Sequence, residues 1–307
     1  MFKRILIVLG IAAITSLAIL ATVDLWLERI GDVPASDANN TPQTSPEAQE
    51  AFRIDREGRK LAFGRQKNLR LAEEKFQESL GIFRRINHEG GQAEVLNDLG
   101  ILYADQHQYA KAIECYEKSL ELKRKMGWSW GEANSLAGLG NLFSAKKEYS
   151  KAAEYYEQSL KAYEKGGDSV RSRGTLLSLA RTYLDSRQDA KAKECYEKSL
   201  ELAKKAKSLK DEVDSLSGLA SILLRKDEYS QAVPYLEECF KLSKATGQPD
   251  LAQWAAHSLG SVYCRSGKSS QAIQYYEEAL AIRKRFLHRG QHGKRRYRSY
   301  PLGFFSV

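Results

Sequence analysis

Leu99-Gly100, Leu139-Gly140, Leu179-Ala180, Leu219-Ala220 and Leu259-Gly260 recur at a fixed step of 40 residues. A period of this length marks a chain built from one supersecondary unit stacked on copies of itself, because a single such unit cannot bury its apolar face alone. Further columns keep the step: Tyr103, Phe143, Tyr183, Leu223 and Tyr263, then Ala112, Ala152, Ala192, Ala232 and Ala272. Tyr116, Tyr156, Tyr196, Leu236 and Tyr276 follow, and Leu120, Leu160, Leu200, Phe240 and Leu280 close each unit. Leu96, Leu99 and Tyr103 are spaced by three and four, so they share one helical face; Ala112, Tyr116 and Leu120 share another.

Gly100 or Ala180 on the first helix, and Ala112 or Ala192 on the second, remove bulk where two helices approach to about 8–10 Å. Polar turns such as 105–108 separate the two faces. Gly90-Gly91, Gly127, Gly166-Gly167 and Gly247-Gln248-Pro249 stand between units, where glycine past a helix end and a proline that cannot continue one predict a break. Each unit therefore reads as helix, turn, helix, loop, and the chain as all-α.

Leu99, Gly100, Tyr103, Ala112, Tyr116 and Leu120, with the segment from Tyr109 to Leu122, resemble the tetratricopeptide repeat. The resemblance implies an α-solenoid, a right-handed superhelix of stacked helical hairpins. The usual repeat is about 34 residues. The longer step looks like the variety found in cell-polarity adaptors, kinesin light chains and many bacterial regulators. Two features depart from the family pattern: no proline follows the second helix, and Ser119, Ser159 and Ser199 stand where alanine is usual. Five repeats are expected over 91–287 (about 91–130, 131–170, 171–210, 211–250 and 251–287). A divergent capping repeat precedes them over 48–90, because Phe63, Ala72, Phe76 and Leu80 lie 40 residues before Tyr103, Ala112, Tyr116 and Leu120. Its charged first helix lacks the Leu-Gly pair.

Ile5 to Val23 carries no charge and follows Lys3 and Arg4. Nineteen such residues just span a hydrocarbon core of about 30 Å. No small-x-small cleavage site follows closely, which favours a retained signal-anchor helix over 5–23 against a removed leader. Residues 1–4 are then cytoplasmic, and 24–47 form a disordered linker. Residues 24–50 hold six acids and one base, so the repeats are expected to face outward, into the periplasm if the source is bacterial.

The net charge of +9 is concentrated at one end: residues 283–307 hold eight bases and no acid, and the rest is balanced. The tail 288–307 reads either as a solvated terminus or as a contact for anionic lipid through Arg289, Lys294, Arg295, Arg296 and Arg298. An interrupted reading frame would also end the helical period this way. A membrane-surface or nucleic-acid role through these bases is the alternative function, with nucleic acid the less favoured partner. Four cysteines make no disulfide framework. Cys115 and Cys195 share one repeat position and read as packing residues, and Cys239 with Cys264 is the one plausible pair.

Gly267-Lys268-Ser269 lacks the earlier glycine of a phosphate-binding loop, Val262 standing in its place. The five histidines show no metal spacing, and no nucleophile–base arrangement emerges. A non-enzymatic chain with no cofactor and no metal is expected. The resemblance instead implies a concave groove lined by the first helices, which takes a protein or peptide partner. Its implied residues are Asn97, Ile101, Asp105, Asn141, Arg181, Asp185, Ser221, Arg225, Trp254, His257, Ser261 and Arg265. One column runs Asp105, Ala145, Asp185, Arg225, Arg265, so the groove is expected to pass from acidic to basic, with Arg181, Arg225 and Arg265 holding carboxylates and Trp254 an apolar anchor.

Overall fold

A computed structural model describes residues 45–64, 67–168 and 170–290. The expected anchor over 5–23, most of the linker and the basic residues from Lys294 to Arg298 lie outside them. No helix among the described residues is long and apolar enough to cross a membrane. Contacts divide the chain into Met1–Glu50, whose described part is Ser45 and the start of the first helix, and Ala51–Val307, which holds the repeats.

The described residues form twelve helices paired into six hairpins. They are α1 (Pro46–Phe63) with α2 (Leu69–Arg85), α3 (Glu89–Asp105) with α4 (Tyr109–Lys125), and α5 (Ser129–Ala145) with α6 (Tyr149–Lys165). Then follow α7 (Ser172–Asp185) with α8 (Asp189–Lys205), α9 (Leu209–Arg225) with α10 (Tyr229–Ala245), and α11 (Pro249–Arg265) with α12 (Ser269–Gly290). The all-α solenoid expected from the columns is what forms.

The backbone repeats at half the sequence period. Left-handed residues stand at Asn87, His107, Gly127, Lys147, Gly167, Arg187, Lys207, Asp227, Gly247 and Gly267, one every 20 residues. Behind each, the next amide reaches five residues back to close the helix, as in Gln108 N to Tyr103 O at 2.8 Å and Ser208 N to Ala203 O at 2.9 Å. Every helix from α2 to α11 thus ends in the same Schellman-type stop. The expected breaker Gly90-Gly91 is not one: both glycines lie in the first turn of α3, and Asn87 makes the stop. Hairpins accordingly start at 89, 129, 209 and 249, two residues ahead of the expected unit starts.

Packing follows the columns. Tyr116 lies between two glycines: a Cβ on Gly100 of its own hairpin would stand 2.8 Å from the ring, and one on Gly138 of the next hairpin 2.5 Å. The serines that replace alanine have a job here. Ser79 Oγ donates to Ala51 O at 2.8 Å, Ser119 Oγ to Ala93 O at 2.7 Å and Ser159 Oγ to Ala133 O at 2.8 Å, each joining a second helix to the first helix of its own hairpin. At the fifth place the Cys239 thiol points at Val213 O, 3.9 Å away.

These contacts also correct the register of the cap. Ala51 plays the part of Ala93 and Gly58 that of Gly100, a step of 42 rather than 40. Two extra residues sit in the α1–α2 connection. Phe63, expected in the core column of Tyr103, is 41% exposed instead, and Leu61 packs there. Cys239 is buried and Cys264 exposed, and all four cysteines are free, so the one plausible disulfide does not form.

Two substitutions test this account by opposite signs. Glycine to alanine inside a helix ordinarily stabilises by about 0.5–1 kcal/mol. Gly138→Ala should instead destabilise by about 1–3 kcal/mol, because Tyr116 has no room to yield. Lys207→Gly should raise the denaturation midpoint, removing a left-handed cost of about 1–2 kcal/mol. Urea titrations of both variants decide.

Candidate partner-binding face

From α3 onward each first helix touches the next first helix as well as its neighbours in sequence, whereas among the described residues no second helix touches the next second helix. The first helices therefore lie on the closer-packed side of the stack. Their uncovered stripe is the candidate face.

Beneath the amino end of this stripe lies a largely buried charged cluster that a strict 40-residue step conceals. With the corrected register, Asp55 and Arg59 of α1 fall in the columns of Asn97 and Ile101. Arg59 Nε lies 3.0 Å from Asp55 Oδ2 and 2.5 Å from Asp98 Oδ2, both ion contacts rather than aligned hydrogen bonds. Arg59 Nη2 is 3.4 Å from Glu94 Oε2, and Lys123 Nζ, fully buried, is 3.4 Å from Glu94 Oε1 and 3.2 Å from Ser135 Oγ. Three carboxylates thus share two cations. Burial pushes the Asp55 carboxyl up to about 7, Arg59 opposing and Asp98 and Glu94 reinforcing. Asp98 is raised by the same desolvation, and Lys123 is lowered by it.

The expected residues are distributed unevenly. Asn97 is half-buried, its Oδ1 3.4 Å from Ser135 Oγ. Exposed Asn141 accepts from the Tyr156 hydroxyl at 2.7 Å, and Asn134, not anticipated, accepts from Tyr163 at 2.6 Å. Asp105 is exposed at the end of α3, 3.7 Å from Lys67. Arg181 Nη2 pairs with Asp214 Oδ1 at 3.1 Å. Arg225 is drawn inward: its guanidinium donates to Leu184 O at 3.1 Å and to Asp189 Oδ1. Asp185 stays exposed, its carboxyl raised by partial burial against the pull of Arg225 and Arg181.

Ser221 bonds back to Ser217 O at 2.8 Å. Trp254 is half-buried among the apolar residues of α9 to α11, and His257 meets the Tyr276 ring edge-on at 5.4 Å. Ser261 Oγ is 3.1 Å from the Tyr276 hydroxyl. Arg265 is exposed and lies over the Tyr229 ring at 5.3 Å. The expected acidic-to-basic passage is therefore weakened at its fourth step, because Arg225 is engaged with the helix pair behind it. Ile101 sits half-buried in the wall.

No group of three or more potential metal ligands gathers among the described residues. Burial pushes the Cys115 and Cys195 thiols up to about 11, the opposite of an activated nucleophile.

Tetratricopeptide-repeat family models match residues 58–125 and 211–285, 97–167, and 174–205. The chain belongs to the tetratricopeptide-repeat family. A comparison with curated proteins returned no match. Among solved structures it is similar to BtubC (BKLC) from P. vanneervenii, at 20% identity and TM-score 0.60, covering 86% of this chain and 98% of that one. A Podosopora anserina putative kinesin light chain with nearly identical TPR-like repeats gives 20% identity and TM-score 0.54, over 66% of this chain and 98% of that one. A signal-transduction ATPase with a tetratricopeptide-repeat sensor from Pyrococcus horikoshii gives 19% and 0.66, over 81% of this chain but 38% of that one. These likenesses concern the fold. Tetratricopeptide proteins generally mediate protein–protein contacts, and no catalytic family is indicated.

The cluster makes a signed pH prediction. Below the ordinary carboxylate range Asp55 is protonated in both folded and unfolded chains. Between about pH 4 and 7 only the folded chain keeps the proton, so stability falls as pH rises through that window and levels above it. Buried His88, lowered by desolvation, acts oppositely below about pH 6.5. The difference between parent and Asp55→Asn melting temperatures, measured from pH 4 to 8, isolates the Asp55 contribution: the variant should gain most at the alkaline end.

Proposed function

We propose that this chain is a non-enzymatic tetratricopeptide scaffold of the long-repeat variety, holding an extended protein or peptide along its first-helix face. Residues 5–23 tether it to a membrane with the repeats on the outer side. The observation that carries the reading is the state of that face. Its helices touch directly and its ion pairs are closed internally, so a partner meets a surface that needs little ordering.

Recognition then rests on shape and on the amides of Asn97, Asn134 and Asn141, with charge left to Asp105, Asp185 and Arg265. In the column of Glu94, Asn134, Asp214 and Trp254, the fourth hairpin has Gly174, and a Cβ added there meets nothing within 4 Å. That gap is where a partner backbone comes closest.

Gly174→Leu starts its side chain where a Cβ meets open space, and stability should hold or rise by up to about 1 kcal/mol. Cross-linking with mass spectrometry in the native host should show partners of the parent joined to α5, α7 and α9, and these should be lost in the variant. A variant that keeps every partner of the parent overturns the face assignment. A reporter fused after Pro46 that is active only in the cytoplasm overturns the orientation.

A further inference from the structure

The two ends of the stack are unlike. At each inner junction a second helix is covered by the first helix of the next hairpin: Tyr116, Tyr156 and Tyr196 are 2–3% exposed, Leu236 is fully buried and Leu120 is 7% exposed. On α12 the same columns are bare, with Tyr276 36% and Leu280 50% exposed, and Ile273 beside them is 58% exposed. Gly260 holds the inner side of the Tyr276 ring, where a Cβ would stand 2.8 Å away, but no following helix closes its outer side among the described residues.

At the other end the joining face is sealed. In the corrected register Arg53, Arg56 and Lys60 of α1 stand where α5 has Ser135, Gly138 and Leu142, the residues that meet the preceding hairpin. All three are exposed. Arg56 at the place of Gly138 cannot receive a ring such as Tyr276, so head-to-tail stacking of copies is closed off. Residues 291–307 carry Lys294, Arg295, Arg296, Arg298 and Pro301, and lack the spaced leucines and small residues of a covering first helix. Among the described residues the apolar stripe of α12 is therefore left open.

We infer that α12 is a self-association surface, pairing antiparallel across a twofold axis with α12 of a second copy of this chain. Ile273, Tyr276, Leu280 and Lys284 lie on one stripe by their spacing of three and four. With Leu280 on the axis, Glu277 of one copy stands beside Lys284 of the other, because both lie on the same flank of the stripe, and Tyr276 lies beside Arg283 on the opposite flank. Both charges of the first pair are exposed. A parallel pairing would set like charges together. The same patch serves both copies, as closed twofold contacts require. One helix pair buries less than the roughly 1,600 Å² of a standard interface, so the dimer should dissociate on dilution.

Sedimentation equilibrium on the full chain, solubilised identically for every variant, tests this. The parent should pass from monomer to dimer with concentration. Leu280→Glu should weaken the dimer by about tenfold or more, as loss of a central apolar anchor does, with an unchanged helical melt. Glu277→Arg should weaken it too, and Glu277→Arg with Lys284→Glu should restore it. A parent that stays monomeric to about 100 μM, where even a weak specific dimer forms, overturns the inference. So does a dimer indifferent to Leu280→Glu, or a charge swap that restores nothing.

Discussion

Everything in this fold turns on one shared aromatic ring. Tyr116 belongs to α4, yet its faces are closed by Gly100 of its own hairpin and Gly138 of the next. Tyr196 repeats half of the arrangement, a Cβ on Gly218 of the next hairpin falling 2.3 Å from its ring while Ala180 stands on its own hairpin. Because the ring is half of one core and half of the next, no hairpin is complete alone. Stacking is then the way each unit finishes burying its largest side chain. Around Tyr116 glycine is required on both sides for one reason: the ring occupies the volume where a methyl would stand.

The columns made this core legible from sequence, since apolar identity at a fixed step reports shared burial. Backbone geometry was less legible. Glycine marks only four of the ten left-handed stops; the others are Asn87, His107, Lys147, Arg187, Lys207 and Asp227, which carry no strong signal of their own. The 20-residue beat was hidden inside the 40-residue one for that reason. The cap was misread by two residues. A rigid step of 40 aligns Asp55 and Arg59 with the core positions Val95 and Leu99, and so conceals the charged cluster. The spacing of Ala51 and Ser79 would have revealed the shift, had the role of the serine column been known.

The face itself shows the limit of reading columns singly. Arg181 and Arg225 stand in the expected stripe, but whether they await a partner depends on residues from other columns. Asp214 lies on the neighbouring first helix and Asp189 at the start of a second helix. A column records what points in one direction; it does not record what stands opposite. Internal pairing of this kind removes long-range attraction from the face, because a closed ion pair projects little field. It also leaves the face stiff, since each pair ties one hairpin to the next.

Those ties are not spread evenly, and the consequence is a gradient of local stability. Contributions in such a stack come from each hairpin and from its junction with its neighbours, so an interior hairpin is held twice and a terminal one once. At the amino end, α1 and α2 compensate with Arg59 bridging to Asp98 and Glu94, and with Phe52 and Phe83 edge-on at 4.8 Å, close against buried His88. At the carboxy end α12 has the ring contact of Tyr275 with Tyr263 at 5.6 Å and the Lys244–Glu278 pair at 3.4 Å, all on its inner side. An exposed pair of that kind contributes little. Opening should therefore begin at α12 and travel inward, with amide exchange fastest there and slowest in α5 and α9, which are gripped from both sides. Whatever covers Ile273, Tyr276 and Leu280 would reverse that order, because those residues decide whether the last hairpin is an end or an interior.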